Sequence, residues 1–173
     1  MKHSSIVKLF TTHLKQALAR AMQFAAEFGH KQVTEEHLLY GLASEKGSIS
    51  SELLDQASFP VDLLKQDLIR RYHTPYFHDA AAIPDLSEKT VTLLTKAVRT
   101  AQLHEHTYVG TEHALACLID MADKPLQELF SLWHVNRTEL QRRLLVVLKS
   151  TSKFPDLTQT MNRAEDPMKK ALP

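Results

Sequence analysis

The residues best suited to chemistry in this chain are a glutamate and a histidine that stand side by side twice. Glu36 and His37 occur in the phrase VTEEH, and Glu112 and His113 occur in the phrase VGTEH. A carboxylate next to an imidazole can hold a metal ion, exchange a proton or bind a cationic group. The sequence around the two pairs has to decide among these possibilities.

A metal site is suggested by a cluster of histidines around the second pair. The cluster consists of His104, His106 and His113. Their spacing is not a standard zinc pattern, and no cysteine joins them. His30 and His37 repeat the spacing of His106 and His113, which favours a shared packing role. We therefore predict hydrogen-bonded structural histidines, without a bound metal and without a cofactor.

Both phrases belong to an internal repeat in which residues match those 76 positions later. No gap is needed between residues 10 and 72. The matched identities are Leu18/Leu94, Ala21/Ala97, Ala25/Ala101, His30/His106, Val33/Val109, Glu36/Glu112, His37/His113, Leu39/Leu115, Leu42/Leu118, Glu52/Glu128, Leu53/Leu129, Leu64/Leu140 and Leu68/Leu144. Such a repeat indicates one structural unit used twice.

Helical periodicity divides the first half into four elements. The first helix carries an apolar stripe and ends at Gly29, a residue that tolerates a left-handed conformation. Thr34 caps the second helix, whose first turn is acidic. A short helix follows over about 49–57, and Pro60 begins the fourth.

The second half repeats this order. Ser87 caps its first helix, the segment TYVG precedes the second, and Pro125 opens a short third helix. Asn136 and Glu139 form a capping box for the last helix, over about 137–149. This helix is predicted to bury Leu140, Leu144, Leu145 and Leu148. Because no segment alternates with a period of two, we predict no sheet.

These patterns predict an all-α fold, in which two tandem four-helix repeats form one pseudo-twofold-symmetric helical domain. The predicted parts are the domain (1–150) with its repeats (10–72 and 86–148), the connector between them (73–85) and an extended tail or linker (151–173). The tail is rich in proline and is expected to form at most a turn or two of helix near 156–165.

The overall composition excludes several classes of protein. The formal net charge is +1, and each half carries nearly equal numbers of acidic and basic residues, so neither offers the basic face that binds a phosphate backbone. A single cysteine excludes an internal disulfide and fits a reducing compartment. No apolar run is long enough to span a membrane. We expect a cytoplasmic protein with no nucleic-acid or membrane partner.

The two phrases resemble the Clp N-terminal domain of the Clp/Hsp100 ATPases, of the ClpC or ClpA type. VTEEHLLYGL and YVGTEHALACL each follow a long alanine-rich helix that ends near a histidine. The resemblance covers residues 4 to about 150. It implies a module that binds substrates and adaptors and is not an enzyme, since ATP hydrolysis in that family belongs to AAA+ modules. The four glycines here form no G-x-x-x-x-G-K-[ST] loop.

The resemblance also implies partners and a binding site. The partners are a Clp-type AAA+ ATPase, in cis or in trans, adaptor proteins and unfolded or tagged substrates. In ClpC-type relatives the glutamate of the T-E-H phrase helps to hold a phosphorylated arginine. The carboxylate would take the guanidinium and the helix-start amides the phosphate. The matching residues here are Gly110, Thr111 and Glu112 in the second repeat and Thr34, Glu35 and Glu36 in the first.

The second repeat is predicted to do most of this binding. It keeps the phrase G-T-E-H, and Gly110 and Thr111 are expected to leave the helix start open. The first repeat departs from the phrase, with Thr34 in place of the glycine and Glu35 in place of the threonine. The negative charge of Glu35 would repel a phosphate.

Plainer interpretations stand beside these. Glu36 and Glu112 can be ordinary first-turn residues, each stabilising its helix by ~0.3–1 kcal/mol. Cys117 is predicted to be a buried, inert thiol. The aromatic residues at the repeat ends and in the connector are expected to lie mostly in the core, although an exposed patch among them would suit docking. These residues are Tyr76, Phe77, Phe130 and Trp133.

Two other functions compete with the Clp interpretation. One is a standalone helical regulator unrelated to Clp, including one that binds nucleic acid, although the balanced charge disfavours it. The other is a metal hydrolase built on the histidines, which would require a stoichiometric, tightly bound metal.

Overall fold

The helices of the computed structural model follow the predicted order, with one addition at the start. The structure describes residues 3–72 and 83–151. Its helices are α1 (His3–Val7), α2 (Thr12–Glu27), α3 (Glu35–Ser44), α4 (Ile49–Gln56), α5 (Val61–Tyr72), α6 (Glu88–Leu103), α7 (Thr111–Asp120), α8 (Lys124–Leu132) and α9 (Arg137–Thr151). The first repeat contains α2–α5 and the second α6–α9, so the all-α class is confirmed. The short helix α1 was not predicted.

Several predictions fall on residues outside the described ranges. These are the tail with its turn near 156–165, most of the connector, and the aromatic residues Tyr76 and Phe77. The division into a domain and a tail at residue 150 stays a prediction.

Polar side chains cap the helices at positions that the sequence predicted. The Ser87 hydroxyl accepts the Thr90 N–H at 3.1 Å at the start of α6. The Asn136 side chain accepts the Glu139 N–H at 3.0 Å before α9. Asp123, which the sequence did not single out, caps α8. These side chains satisfy amides that have no partner within the helix.

The two repeats also share the positions at which the backbone has a positive φ. Gly29 and Glu105, 76 residues apart, both have positive φ, at 67° and 59°. Ser58 and His134 form a second such pair, both at 55°. A left-handed conformation is unfavourable for residues other than glycine, so the fold imposes it at the same place in each half.

Short strands join the two repeats, so the prediction of no sheet is wrong in this detail. Strand β1 (Gln32–Val33) pairs in parallel with β2 (Asp85–Leu86). Phe10 and Val109 form the corresponding bridge on the other side. Two residues are too few to produce a period-two pattern in the sequence, which explains why the strands escaped prediction.

The strand pairs are exchanged between the repeats. The Ser87 N–H donates to the Val33 carbonyl at 3.0 Å, and the Thr11 N–H donates to the Val109 carbonyl at 2.9 Å. These two bonds correspond to one another at the 76-residue offset. Each repeat therefore supplies one strand of each pair, as a pseudo-twofold axis requires.

The main hydrophobic core runs through both repeats, and Ala21, Ala25 and Val33 form a small second cluster. The fully buried large side chains of the main core are Leu14, Leu38, Leu39, Leu42, Leu54, Leu64, Leu68, Leu93, Leu94, Leu115, Leu118 and Ile119. The prediction that Leu145 is buried is wrong, because this side chain is 47% exposed. The buried row of α9 steps by four from Leu140 to Leu148, and Leu145 lies one position off that row.

The halves differ at their third helices. α4 packs closely against α7 and α9. Its counterpart α8 makes no equally close contact with α3 or α5 in the part of the chain that the structure describes. The loop before α4 is fixed by buried Glu45, which bonds His13 Nδ1 at 3.0 Å and Arg20 Nε at 2.7 Å. The two ends of the domain therefore differ: α4 packs onto the opposite repeat, whereas α8 leaves the corresponding surface less covered.

Candidate functional site

A cleft of about 600 Å³ lies where α3, α5, α6 and α8 meet. We call it the first-repeat cleft. Its lining residues are Gln32, Thr34, Glu35, Glu36, Arg71, Tyr72, Ser87, Glu88, Lys89, Asp123 and Pro125. Three of them, Thr34, Ser87 and Asp123, are the N-cap residues of α3, α6 and α8. The cleft therefore gathers three helix starts around one opening.

Lys89 connects two sides of the first-repeat cleft. Its ammonium lies 2.6 Å from Asp123 Oδ2 and 3.5 Å from Glu35 Oε1. The hydrogen bond to Asp123 raises the pKa of Lys89, and the same bond lowers the pKa of Asp123. Because Lys89 is largely exposed, water and salt screen these pairs.

Arg71 binds two carboxylates on the opposite side of the cleft. Its guanidinium lies 2.6 Å from Asp67 Oδ2 and 3.6 Å from Glu36 Oε1. The other oxygen of Glu36, Oε2, accepts the Thr34 hydroxyl at 2.7 Å. Tyr72 borders the same region, and burial raises the pKa of its phenol. Glu36 thus lies at the inner end of a strongly polar cleft.

The corresponding place in the second repeat is closed, which corrects the expectation that its helix start is open. Thr111 is only 2% exposed and Glu112 only 6%. The Ser50 N–H, at the start of α4, lies 3.3 Å from Thr111 Oγ1. Burial raises the pKa of Glu112. The close packing of α4 on α7 covers this helix start, whereas α8 leaves its counterpart accessible.

Gly110 is needed in the second repeat for a reason other than ligand access. A Cβ at this position would lie 2.4 Å from both carboxylate oxygens of Glu112. The glycine therefore makes room for Glu112 to fold back over the helix start, where a ligand phosphate was expected.

The repeated histidines form two equivalent hydrogen-bonded pairs. The Thr34 N–H donates to His37 Nδ1 at 3.0 Å, so the proton of this neutral ring is on Nε2. His37 Nε2 lies 2.7 Å from His30 Nδ1 and donates to it. His37 occupies the third position of α3 and takes the part that glutamate or glutamine plays in a capping box.

The second pair has the same geometry. The Gly110 N–H donates to His113 Nδ1 at 2.8 Å, and His113 Nε2 lies 2.7 Å from His106 Nδ1. Burial lowers the pKa of His37 to about 4 and that of His113 to about 3. The prediction of hydrogen-bonded structural histidines is confirmed.

The geometry of a metal site is present but its donors are engaged. Ligand atoms of His106, Glu112 and His113 lie within 4.8 Å of one another. Both ring nitrogens of His113 already take part in hydrogen bonds, one with a backbone amide and one with His106. A metal ion would have to break the cap of α7, so the donor set favours the structural interpretation.

The other residues considered in the sequence analysis have structural roles. Cys117 is buried and burial raises the pKa of its thiol, as predicted for an unreactive cysteine. Phe130 lies in the core, and the half-buried Trp133 packs edge-on against Phe59 at 5.8 Å between centroids. No helix among residues 3–72 and 83–151 is long and apolar enough to cross a membrane.

Sequence reasoning missed most of the cleft. Arg71, Lys89 and Asp123 come from three different helices and meet only in the folded chain. The cap at Ser87 and the proline at Pro125 show where two helices begin, but nothing local shows that those helix starts converge. Among the residues that line the cleft, only Thr34, Glu35 and Glu36 were predicted from the sequence to bind a ligand.

The chain matches the family model of the Clp repeat (R) N-terminal domain over residues 9–133. It belongs to this family. The family assignment does not favour the alternative of an unrelated helical regulator, and Clp N-domains are binding domains. The narrower ClpC or ClpA type stays a prediction, because similar proteins include the chaperone ClpB of Mycobacterium leprae, 26% identical over 86% of this chain and 18% of that protein.

Further similarities agree with the family. A probable ATP-dependent Clp protease ATP-binding subunit of Chlamydia pneumoniae is 25% identical over 82% of this chain and 17% of its own length. The chain thus spans less than a fifth of these curated relatives. The N-domain of ClpV from Vibrio cholerae has the same fold, with a TM-score of 0.66, 24% identity, and coverage of 84% of this chain and 88% of that one.

Proposed function

We propose that this chain is the substrate- and adaptor-docking module of a Clp-type protein-unfolding or proteolysis system. It would present polypeptides to a Clp-type AAA+ ATPase, in cis or in trans, and would act by binding, without catalysis. A cytoplasmic location, together with its clients, is part of the proposal. Family membership supports the class of function, and the accessible first-repeat cleft supports a specific place for docking.

The observation that carries the proposal is the contrast between the two helix starts. The first-repeat cleft has about 600 Å³ of space, enough for one or two side chains of a bound peptide. Thr34 and Glu35 are half-buried there, whereas their equivalents Gly110 and Thr111 are buried. The glutamates Glu36 and Glu112 are buried alike, at 7% and 6% exposed. A solved complex of a ClpV N-domain with a VipB peptide has a similar fold, with a TM-score of 0.64. A related domain therefore binds a peptide.

The phosphoarginine site stays a proposal and changes its place. In the second repeat (Gly110, Thr111 and Glu112), α4 contacts Thr111, so a ligand would have to displace this contact to reach the helix start. In the first repeat Thr34 and Glu35 are accessible, and the buried Glu36 still lines the cleft. Any ligand that uses the T-E-H glutamate is therefore expected in the first repeat, in spite of its departures from the family phrase.

A blocked cleft would test the docking proposal. A fluorescently labelled, permanently unfolded model polypeptide would be titrated with the wild-type chain and with Pro125→Trp, which places a large side chain on the rim of the cleft. Glu128→Trp, exposed on the same helix and outside the lining, is the matched control. We expect the rim variant to lose binding and the control to keep it. Equal binding by both variants would move docking away from this cleft, and absence of binding by the wild type would contradict the proposal.

A further inference from the structure

The first-repeat cleft has an excess of negative charge. Its charged lining residues are Glu35, Glu36, Glu88 and Asp123 on the acidic side and Arg71 and Lys89 on the basic side. Four carboxylates against two cations leave two formal negative charges. Asp67, the second carboxylate that Arg71 binds, adds to this excess from behind the lining. A ligand with a positive charge would therefore be attracted.

Both cations of the cleft are already shared between acidic partners. Lys89 lies between Asp123 and Glu35, and Arg71 lies between Asp67 and Glu36. An incoming phosphate would have to compete with two carboxylates at each cation. The positive charge in the cleft is thus largely neutralised before any ligand arrives.

One amide at each of the three helix starts is also occupied. The Thr34 N–H donates to His37, and the Thr90 N–H donates to Ser87. The Leu126 N–H donates to Asp123 at 3.3 Å. These groups would otherwise be the natural donors to an anion at a helix N-terminus. At each of the three helix starts, the cap thus occupies one amide that would otherwise be available to a phosphate.

One carboxylate oxygen that faces the cleft has no hydrogen-bond donor from the described residues. Glu36 is 7% exposed and lines the cleft, and only its Oε2 accepts a hydrogen bond among the described residues. The nearest cation to Oε1 is the guanidinium of Arg71, at 3.6 Å, which is beyond hydrogen-bonding distance. This oxygen is not fully enclosed, so water reaches it in the free chain, and an ammonium or guanidinium from a ligand would replace that water with a charge-assisted hydrogen bond.

Arg71 shows that these surroundings accept a guanidinium. Its guanidinium lies 5.8 Å from the ring centroid of Tyr72 while it pairs with Asp67 and approaches Glu36. Carboxylates together with an aromatic ring are the usual surroundings of a bound arginine or lysine. The aromatic ring and the unfilled acceptor thus favour the same class of ligand.

We infer that the first-repeat cleft recognises an unmodified arginine or lysine side chain of a partner polypeptide, in preference to a phosphorylated arginine. The inference rests on the proposed docking function and names the charge of the segment that is docked. The ligand cation binds Glu36 and the neighbouring carboxylates. The client or adaptor segment is accordingly basic.

Matched peptides would test the sign of the ligand charge. One short, otherwise neutral peptide would be made with arginine, phosphoarginine or glutamine at its central position and titrated calorimetrically with the full chain. The arginine peptide is expected to bind about tenfold more tightly than either of the others. Its affinity should fall as the salt concentration rises, because the cleft is partly exposed.

Two variants should change the affinity in opposite directions. Glu36→Gln removes the negative charge of the carboxylate that would bind the ligand cation, and it should weaken binding of the arginine peptide by about tenfold. Lys89→Gln removes a competing cation and should tighten it. Glu52→Gln, an exposed carboxylate on α4 away from the cleft, is the control for net charge and should change nothing. Because Lys89 is exposed, its variant remains informative even if the Glu36 variant unfolds.

The outcomes separate the inference from the proposed function. Tightest binding of the phosphoarginine peptide, equal binding of all three peptides, no measurable binding of the arginine peptide, or weaker arginine binding by Lys89→Gln would each overturn the inference. None of these results would remove docking of the unfolded polypeptide, which the Pro125→Trp experiment decides.

Discussion

At the scale of single residues, the paired histidines act as neutral parts of two helix caps. Each ring at the third helical position accepts the amide of the N-cap residue on Nδ1 and donates from Nε2 to a second ring. A protonated ring would lose the acceptor at Nδ1 and would place a charge in a buried site. The fold therefore depends on both caps staying neutral.

Acidification should weaken the fold through these rings. The pKa values of His37 and His113 in the folded chain, about 4 and about 3, lie below the ordinary value of 6.5. Between pH 6.5 and those values the unfolded chain binds protons that the folded chain does not, so stability falls as the pH falls. Proton uptake linked to each ring should lower the free energy of unfolding by about 2 kcal/mol at pH 5 relative to pH 7, as measured by urea denaturation.

A variant isolates this effect from the carboxylates. Burial raises the pKa of Glu112, so its charged form is disfavoured in the folded chain and its contribution has the opposite sign. His113→Gln keeps a capping-box residue at the helix start but removes the titrating ring. This variant should be less stable at pH 7 and should lose less stability between pH 7 and 5. An unchanged pH dependence would show that the ring at this position is not the titrating group.

Truncation of the paired core leucines belongs to the same scale. Leu39 and Leu115 are both fully buried and occupy equivalent positions in α3 and α7. Leu39→Ala and Leu115→Ala should each lower the free energy of unfolding by ~2–5 kcal/mol, as measured in denaturant melts. Leu63→Ala, on an exposed position of α5, is the control and should cost far less. Losses below ~0.5 kcal/mol for both core variants would contradict the packing described here.

At the scale of elements, the most extensive helix contact among the described residues is between α2 and α3. A Cβ on Gly41 would lie 2.1 Å from the carbonyl oxygen of Ala17, so only glycine lets the two backbones approach this far. The equivalent residue in the second repeat is Cys117, between α6 and α7. The second repeat therefore accommodates a side chain where the first cannot.

Adding one methyl group should show this difference. Gly41→Ala forces α2 and α3 apart and should destabilise the chain by about 1–3 kcal/mol or more. Cys117→Ala, which removes atoms at the equivalent position, should cost less, since it creates only a small cavity. Thermal unfolding of both variants would measure the difference. A harmless Gly41→Ala would mean that the two helices are farther apart in solution.

The elements that the sequence predicts are those defined by local chemistry. Thr34, Ser87 and Asn136 mark helix starts because a cap acts on amides only two or three residues away. The two strand pairs were not predicted, because each joins residues from different repeats and is only one or two residues long. Leu145 was misassigned because adjacent leucines in α9 differ only in helical phase.

The kind of candidate site stays a prediction, and the sequence does not show which of the two helix starts is more accessible. Glu36 and Glu112 have the same local sequence signal, and the more faithful phrase surrounds Glu112. Accessibility is decided elsewhere, by how the third helix of the opposite half packs on each helix start. Ser50 of α4 reaches Thr111, and the looser α8 leaves Thr34 open. No residue next to either phrase indicates this difference in packing.

At the scale of the whole molecule, the two repeats complete each other. Val33 lies before α3 and pairs with Leu86, which precedes the second repeat's first helix. Val109 lies before α7 and pairs with Phe10, which precedes α2. Helix α4 packs across the axis onto α7 and α9. Neither half therefore contains both strands of a pair, and the core is continuous between the halves.

A chain divided within the connector should consequently fold only when both parts are present. Residues 1–76 and 77–173, produced separately, would each lack the strand partners and the apolar surface that the other half supplies. Each part alone is expected to show no cooperative thermal transition by circular dichroism. Mixed in equal amounts, the two should form a one-to-one complex with a cooperative transition whose midpoint rises with concentration.

Light scattering after size-exclusion chromatography provides the second measurement for the divided chain. Because the repeats are related by pseudo-twofold symmetry, one part alone has a route to folding by pairing with its own copy. A homodimer of one part with a cooperative transition would therefore still agree with the exchange of strands. A folded monomer of either part would contradict it, since that part would then be complete without the strand and the helix face that the other supplies.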